Sequence, residues 1–511
     1  MRQKLAIFCL AIIYGNILTM AETSIALEGG LDAAIGSHEF APFYMSANRF
    51  GTLTQSKDML LHIGASDSLD HTKRFDWAWG VEVWGGASSS ATYERWDTST
   101  NQMVYDNPQH PARIWLQQLY GELKYRCLYL SVGMKNRGSA LLNNELSSGD
   151  LTWSGNTRGI PEARIGFNGF QDIPFTNKWV QADLALAYGF FADKDWIENH
   201  YSYKRGTINL NTLWNYKRLY LRSNPEKPFS VTFGLQAAAL FGGTTYTYID
   251  GRVTEKQVMG HSFKDYLKML LPIAGESEGN YVPGDHKGSW DFMARYRLRN
   301  NDEIKAYFEW YWEDGSSLLK NNGWDGLWGI EYKSARRWWI DGAVVEYLDF
   351  THQSGPLHYD PNDWEHDDIT TQVRGRDNYY DSWYYRAYCN YGSIIGTPMV
   401  MGLIYDTEGR SKLKATRVRG IHLAIKGSLG QYMDYQIKFN HRKAWGDVNT
   451  IEMVHPLHAN SWYLNVGYNM PKLPFLRLDA SLGIDNGNMP SKAAAFSIGV
   501  TYSNNITLKK K

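Results

Sequence analysis

The sequence predicts an all-β protein: a transmembrane, outer-membrane antiparallel β-barrel of about 18 strands, with a small helical plug or periplasmic portion. The chain of 511 residues begins with a stretch typical of an export signal. Many segments of about 9 to 11 residues alternate apolar and polar side chains, and a tilted strand needs this length to cross a bilayer. Trp and Tyr lie near the ends of these segments, as in an aromatic girdle. At roughly 25 to 30 residues per strand and connection, the mature chain makes about 16 to 18 strands.

The N-terminus predicts a cleaved signal peptide over residues 1–21. Residues 1–4 (MRQK) are basic, residues 5–20 are mostly apolar, and Ala21 supplies a small residue at the cleavage site. A membrane anchor is less compatible with this stretch, because polar and small residues interrupt the apolar run. No later stretch offers about 18 consecutive apolar residues, so no spanning helix is expected. We therefore expect one barrel domain over residues 22–511.

The segment EIKAYFEWYWE (Glu303–Glu313) shows the alternation clearly. Ile304 and Phe308 fall on one face, and Lys305 and Glu309 fall on the other. Such a strand has one dry face and one wet face, which a sandwich or a Trp-rich soluble β protein would also give. The segment length and the several charges on each polar face, which a water-filled lumen permits, favour the barrel. Similar alternation occurs in residues 119–125, 128–134, 431–439, 462–468, 476–485 and 496–502, and the last strand is expected to end near Tyr502.

One stretch of helical period interrupts the strands. In HSFKDYLKMLLP, from His261 to Pro272, Ser262 and Asp265 predict a capping box, and Pro272 ends the pattern. We expect this insert either to plug or line the lumen, with its apolar stripe against the wall, or to pack on the rim as a loop helix. The sequence leaves both open. The apolar positions at spacings of three and four are Phe263, Tyr266, Leu267, Leu270 and Leu271.

The charge, aromatic and cysteine content of the chain limits the classes of partner and site to be expected. The chain has 53 basic and 53 acidic residues, so its net charge gives no reason to expect a nucleic acid. Its 20 Trp and 34 Tyr suit either a membrane interface or a sugar-stacking surface. Cys9 leaves with the signal peptide. Cys127 and Cys389 form either a disulfide or two free thiols, and their spacing matches no zinc site. We expect no cofactor.

Four runs occur in order along the chain. They are FAPFYMSANRFGTL (residues 40–53), SSGDLTWSGNTRGIPEARIG (147–166), GDHKGSWDF (284–292) followed by FEWYWEDGSS (308–317), and NYYDSWYYRAYCNYGSIIGTPM (378–399). Together they resemble the capsule-assembly outer-membrane proteins of the Wzi family. The resemblance implies a barrel of about 18 strands in the outer membrane of a Gram-negative bacterium. It also implies a lectin that holds capsular polysaccharide at the cell surface without enzymatic activity. It assigns no individual sugar-contacting residue.

A lectin needs aromatic faces for sugar rings and polar groups for hydroxyls. Two stretches outside clean strands supply this mixture: residues 285–290 (DHKGSW) and residues 358–368 (HYDPNDWEHDD). A third is the turn after the strand at Glu303–Glu313. For each, the alternative is an interface Trp or a solvated acidic loop. We predict that replacing Trp290 or Trp364 with Ala weakens polysaccharide binding. The candidate glycan-binding residues are Asp285, His286, Trp290, Trp312, Asp314 and Trp364.

Other classes of function remain open at this point. An outer-membrane lipid-modifying enzyme would use a Ser-His-acid set, and the sequence shows no G-x-S-x-G elbow. A diffusion porin would show a large steady conductance, which a closed lectin barrel would not. The acidic loop with His358, His366, Asp367 and Asp368 has metal-ligand residue types but no standard zinc spacing, so at most weak calcium binding is expected. Outer-membrane lipid and a surface polysaccharide are the expected partners.

Overall fold

Eighteen antiparallel strands close into a barrel. The computed structural model describes residues 22–271, 284–313, 318, 323–353, 358–359, 373–374, 377–382, 384–447 and 453–509. The predicted fold class is confirmed. The strands are β1 (Glu22–Gly36), β2 (Asp58–Ser66), β3 (Phe75–Ser88), β4 (Ile114–Tyr125), β5 (Leu128–Met134), β6 (Glu162–Phe167), β7 (Val180–Phe190), β8 (Leu213–Ser223), β9 (Phe229–Phe241), β10 (Asp285–Arg297), β11 (Glu303–Glu313), β12 (Gly326–Lys333), β13 (Gly342–Asp349), β14 (Val418–Leu429), β15 (Met433–Ala444), β16 (Leu457–Asn469), β17 (Leu476–Gly487) and β18 (Ala493–Lys509).

Pairing between the first and last strands closes the barrel. β1 and β18 run antiparallel, from the pair Glu22 and Lys509 to the pair Gly36 and Ala495. The expected end of the last strand near Tyr502 is wrong, because the first residues of β1 offer a free edge that residues 503–509 pair with. A closed barrel leaves no unpaired edge in the membrane, where each unpaired backbone group would be costly.

The two faces of the strands follow the predicted alternation. In β2, Met59, Leu61 and Ile63 are 51–65% exposed on the outside, while Leu60 and His62 between them are buried inside. In β11, Ile304 points outward and Glu309 is 2% exposed in the interior, so this strand is confirmed with the predicted faces. Among the described residues, no helix is long and apolar enough to cross a membrane.

The connections between strands differ in length at the two ends of the barrel. After even-numbered strands the connections are short, as in residues 126–127, 224–228 and 298–302. After odd-numbered strands they are mostly long, as in residues 135–161 and 350–417, although the connection of residues 488–492 after β17 is short. Outer-membrane barrels have short periplasmic turns and longer extracellular loops, so the long connections mark the extracellular end. Both ends of the described chain lie at the periplasmic end.

The long connections carry the few helices and the small sheets. Three helices are α1 (Phe43–Ser46), α2 (Lys194–His200) and α3 (Phe263–Lys268), and a 3-10 turn covers Leu403–Tyr405. A hairpin pairs Ala91–Asp97 with Gln102–Gln109, and a three-stranded sheet joins Arg205–Leu210, Thr244–Ile249 and Arg252–Val258. The hairpin, α2, this sheet and residues 403–411 contact one another above the barrel, and we call them the cap. The hairpin Glu94 N–H donates to Thr407 O at 2.8 Å, and Ser202 N–H donates to Gly409 O at 2.8 Å.

Two expectations left open by the sequence are now decided. The insert forms α3 with the predicted capping box of Ser262 and Asp265. It lies against the outer wall near the extracellular rim, so the rim alternative is correct and this helix does not fill the lumen. Cys127 and Cys389 are both free thiols, and Cys389 is buried.

Candidate functional site

Three largely irregular segments, the first of which contains the short helix α1, fill the described lumen, while α3 lies outside it. We call residues 40–56, 135–161, 377–382 and 384–402 together the plug. Phe50 N–H donates to Gly155 O at 2.7 Å, and Ser154 N–H donates to Ile395 O at 2.9 Å. Asn156 joins all three segments, since its Oδ1 accepts from Asn48 N–H at 3.1 Å and its Nδ2 donates to Ile394 O at 2.9 Å. Three of the four runs that carry the family resemblance therefore meet inside the barrel.

Acidic side chains of the inner wall hold the plug backbone. Glu346 of β13 accepts from Ser147 Oγ at 2.8 Å and from Ser148 N–H at 2.6 Å. Glu309 of β11 accepts from Leu151 N–H at 2.8 Å. A buried irregular segment lacks the partners that a helix or sheet gives its N–H groups, so wall side chains must supply them. This explains why the polar face of these strands carries so many carboxyl groups.

Aromatic residues pack the plug against the wall. The Tyr311 ring lies 4.7 Å from the Tyr379 ring and 5.2 Å from the Tyr380 ring. All three residues are fully buried. A crevice between α1 and residues 394–402 holds about 20 Å³, which is room for one or two water molecules. At this level the described part of the lumen is packed like a protein core.

The cap contains a second kind of site, built around α2. Trp196 and His200 are four residues apart on one helix face, and their rings stack with centroids 4.1 Å apart and an interplanar angle of 15°. His200 Nδ1 donates to Trp196 O at 2.7 Å. Burial lowers the pKa of His200 to about 4, so this imidazole is neutral at physiological pH. Gly392, with φ +74°, lets the indole approach, because a Cβ there would lie 2.2 Å from Trp196 Cζ2.

Charged residues form the rest of this site. Arg386 Nη1 donates to Asp193 Oδ1 at 2.7 Å in a buried two-pronged pair. Asp406 is 5% exposed, and its Oδ2 accepts no hydrogen bond within the described residues, although Arg410 Nε lies 3.9 Å away. Burial raises the pKa of Asp406, and the Arg410 guanidinium opposes this rise. Between these groups lies a crevice of about 30 Å³, lined by Trp196, Ile197, His200, Tyr201, Thr207, Ile208, Asn209, Arg386, Leu403, Asp406, Gly409, Arg410 and Ser411.

We call these lining residues the cap crevice. They combine an indole face, guanidinium groups, a carboxyl group and hydroxyls at the extracellular end. Aromatic faces stack on sugar rings, and planar charged groups bond to hydroxyls. Groups of these kinds can bind carbohydrate. Among the described residues, no group of three or more His, Cys, Asp or Glu side chains could hold a metal ion.

The structure separates the sequence-predicted candidates across the barrel wall. Asp285 points inward, where Lys287 Nζ donates to its Oδ1 at 2.7 Å. His286, Trp290 and Trp312 point outward, because they alternate with inward residues of β10 and β11. Asp314 and Trp364 lie outside the described residues, as do His366, Asp367 and Asp368 of the acidic loop.

Trp290 packs on the outer wall of the barrel. Its ring stacks on Phe233 at 5.8 Å with an interplanar angle of 1°, and its Nε1 donates to Leu318 O at 2.9 Å. Phe233 is an outward residue of β9 and is 43% exposed. Trp312 is fully buried on the same outer side. For Trp290 this geometry fits the alternative given above, an interface Trp with one apolar and one polar end.

The sequence alone does not single out the cap crevice. The only local signal is the spacing of Trp196 and His200 in the helix KDWIENH. Arg386, Asp406 and Arg410 come from a different connection, and only the fold brings them to α2. No periodicity or motif in the sequence predicts such a meeting of loops.

Comparison with known proteins supports the fold. No family model and no curated protein sequence matches the chain. The solved structure of Wzi from Escherichia coli aligns over 96% of this chain and 87% of that chain, with 10% identity and a TM-score of 0.55. That protein is described as a carbohydrate-binding β-barrel involved in group 1 capsule assembly. At this identity the likeness shows an outer-membrane barrel fold and nothing finer.

Outer-membrane proteins of the Occ group also align. OccAB4 of Acinetobacter baumannii covers 96% of this chain and 99% of its own, with 11% identity and a TM-score of 0.43. OccK2 of Pseudomonas aeruginosa, solved with glucuronate, covers 95% and 98%, with 8% identity and a TM-score of 0.46. At these identities and TM-scores the alignments say nothing about the function of this chain.

Proposed function

We propose that this protein binds a capsular or other surface polysaccharide at its extracellular end and holds it on the outer membrane. The observation that carries the proposal is the cap crevice, an aromatic and charged surface above a packed lumen. Two facts support it. Four runs of the sequence resemble the Wzi family, and the similarly folded barrel from E. coli is described as carbohydrate-binding.

The crevice suggests how a sugar would bind. Its volume of about 30 Å³ admits a hydroxyl or a water molecule but not a whole ring. A ring would therefore lie across the mouth against Trp196, with a hydroxyl directed at Asp406 Oδ2 and with Arg410 beside it. A single contact of this kind is weak. A polymer repeats the same sugar many times and engages many barrels, so retention at the surface is multivalent. No bond is made or broken.

The plug bears on the competing proposal of a diffusion porin. A porin keeps a water-filled path through its lumen. Here the described lumen residues pack as a core, so we propose a barrel that is closed to ions and solutes. We also propose that it is not an enzyme, because binding alone accounts for the groups in the cap crevice.

Replacing Trp196 with Ala is expected to weaken polysaccharide binding about tenfold, because an aromatic contact is worth about 0.5–1.5 kcal/mol beyond the area it buries. The measurement is the affinity of the purified barrel for capsular polysaccharide extracted from the parent strain. Trp290→Ala is the matched control, since it removes the same side chain from the outer wall. Equal affinity of wild type and Trp196→Ala would remove the cap crevice as the site. A loss only in Trp290→Ala would restore the earlier expectation for that residue.

A further inference from the structure

The outer wall carries a polar patch where lipid would be expected. Lys217 of β8 is on the same face as Leu219 and Leu221, which are 48% and 42% exposed. His286 of β10 is on the same face as Phe292, which is 41% exposed. Outward Lys in a barrel costs about 2–4 kcal/mol at the bilayer midplane and less near the interfaces. A lysine and a histidine at outward positions are stable only if other groups of the protein separate them from lipid.

The segment around α3 separates Lys217 from lipid. Lys217 Nζ donates to Met269 O at 2.7 Å, and Tyr188 Oη of β7 donates to Tyr266 O at 2.7 Å. The Tyr266 ring lies 5.0 Å from the Phe241 ring of β9. Met269 and Phe241 are fully buried in this contact. Outward positions at the top of β7, β8 and β9 are therefore sealed by protein rather than by lipid.

The far side of α3 is apolar and uncovered within the described residues. Phe263, Leu267 and Leu271 are 79%, 50% and 60% exposed. Further down the outward face of β9, beyond the buried Ala237 and Ala239, Phe233, Val231 and Phe229 are 43%, 45% and 58% exposed. Beside these residues, Lys264 is exposed on the same helix. An apolar face with an adjacent cation is the pattern of a helix at a membrane interface.

We infer that α3 lies in the outer leaflet of the membrane and binds its lipid. Phe263, Leu267 and Leu271 contact acyl chains, and Lys264 contacts a headgroup phosphate. One side of this segment shields Lys217, and the other side extends the lipid-facing surface of the barrel toward the extracellular rim. This inference rests on the outer wall alone and does not depend on polysaccharide binding.

The test is site-directed spin labelling in lipid nanodiscs of phosphatidylglycerol and phosphatidylethanolamine. Phe263→Cys and Leu267→Cys are made separately in a Cys127→Ser background and labelled with a nitroxide, while Cys389 is buried and stays unlabelled. Ile63→Cys, on the outward face of β2 and 65% exposed, is the lipid-facing control. Ser99→Cys, at the exposed tip of the cap hairpin, is the water-facing control.

Oxygen collects in lipid and a polar nickel chelate stays in water, so the two relaxation agents report the surroundings of each label. We expect labels at Phe263 and Leu267 to show the high oxygen and low nickel accessibility of the Ile63 label. Nickel accessibility equal to that of the Ser99 label at both positions would overturn the inference. Low accessibility to both agents would also overturn it, because another protein surface rather than lipid would then cover the helix.

Discussion

Replacing Glu309 and Glu346 together with Ala is expected to loosen the plug, so that the barrel, which we propose is closed to ions, conducts intermittently. These two side chains accept the backbone N–H groups of Leu151 and Ser148 and the hydroxyl of Ser147. Leaving each of these three buried donors without an acceptor costs about 1–3 kcal/mol, so the plug loses about 3–9 kcal/mol of stabilisation. The measurement is single-channel current in planar bilayers at fixed salt.

Glu309→Gln with Glu346→Gln is the matched control. In Glu309→Gln, an amide oxygen at the position of Oε2 still accepts from Leu151 N–H. The amide nitrogen then takes the position of Oε1, which accepts no hydrogen bond within the described residues, so no acceptor is lost. At position 346 an amide keeps one of the two acceptor oxygens. This variant should remain mostly closed. A large steady conductance in the unmodified protein would contradict the closed lumen and support a porin.

Replacing Arg386 with Ala is expected to speed amide exchange in α2 and at Tyr391 by at least about 100-fold. Asp193 is 1% exposed and bonds to Arg386 through both oxygens, and its Oδ2 also accepts from Tyr391 N–H at 2.8 Å. Removing one partner of a buried ion pair costs about 3–5 kcal/mol, because the other charge stays buried without compensation. Local opening of the cap should follow, and every tenfold increase in exchange corresponds to about 1.4 kcal/mol.

A double variant separates loss of the pair from loss of packing. In Asp193→Asn with Arg386→Met no charge is left buried, so exchange should return most of the way to the wild-type rate. Arg386→Lys keeps the charge but not the planar fork and should fall between the two. The readout is hydrogen–deuterium exchange followed by mass spectrometry on peptides of α2 and of residues 386–394. Wild-type exchange in Arg386→Ala would show that this pair does not hold the cap.

The alternation of side chains predicted the strands because a membrane wall imposes a strict two-residue period. In β11, Ile304 and Phe308 had to face lipid, and Lys305 and Glu309 had to face the interior. The capping box at Ser262 was equally visible, since it depends only on residues three apart. The position of α3 was not, because its apolar residues would suit a lumen wall, an outer wall or a lipid interface.

The plug and the cap crevice had no comparable signal. Segments that fill a lumen have no period, and their contacts join residues as far apart as Asn48, Asn156 and Ile394. The run of residues 285–290 contained the right chemistry for sugar, but alternation sends Asp285 inward and His286 and Trp290 outward. A cluster in sequence is therefore divided by the wall, while Trp196 and Asp406, which are distant in sequence, line one crevice.

The most direct test of the proposed function is a strain from which the gene has been deleted. Capsular polysaccharide is quantified by blot in the cell-attached fraction and in the medium, with the restored wild-type gene as the control. We predict unchanged total polymer, with most of it moved from the cells to the medium. Normal attachment in the deletion strain would contradict a role in holding polysaccharide at the surface.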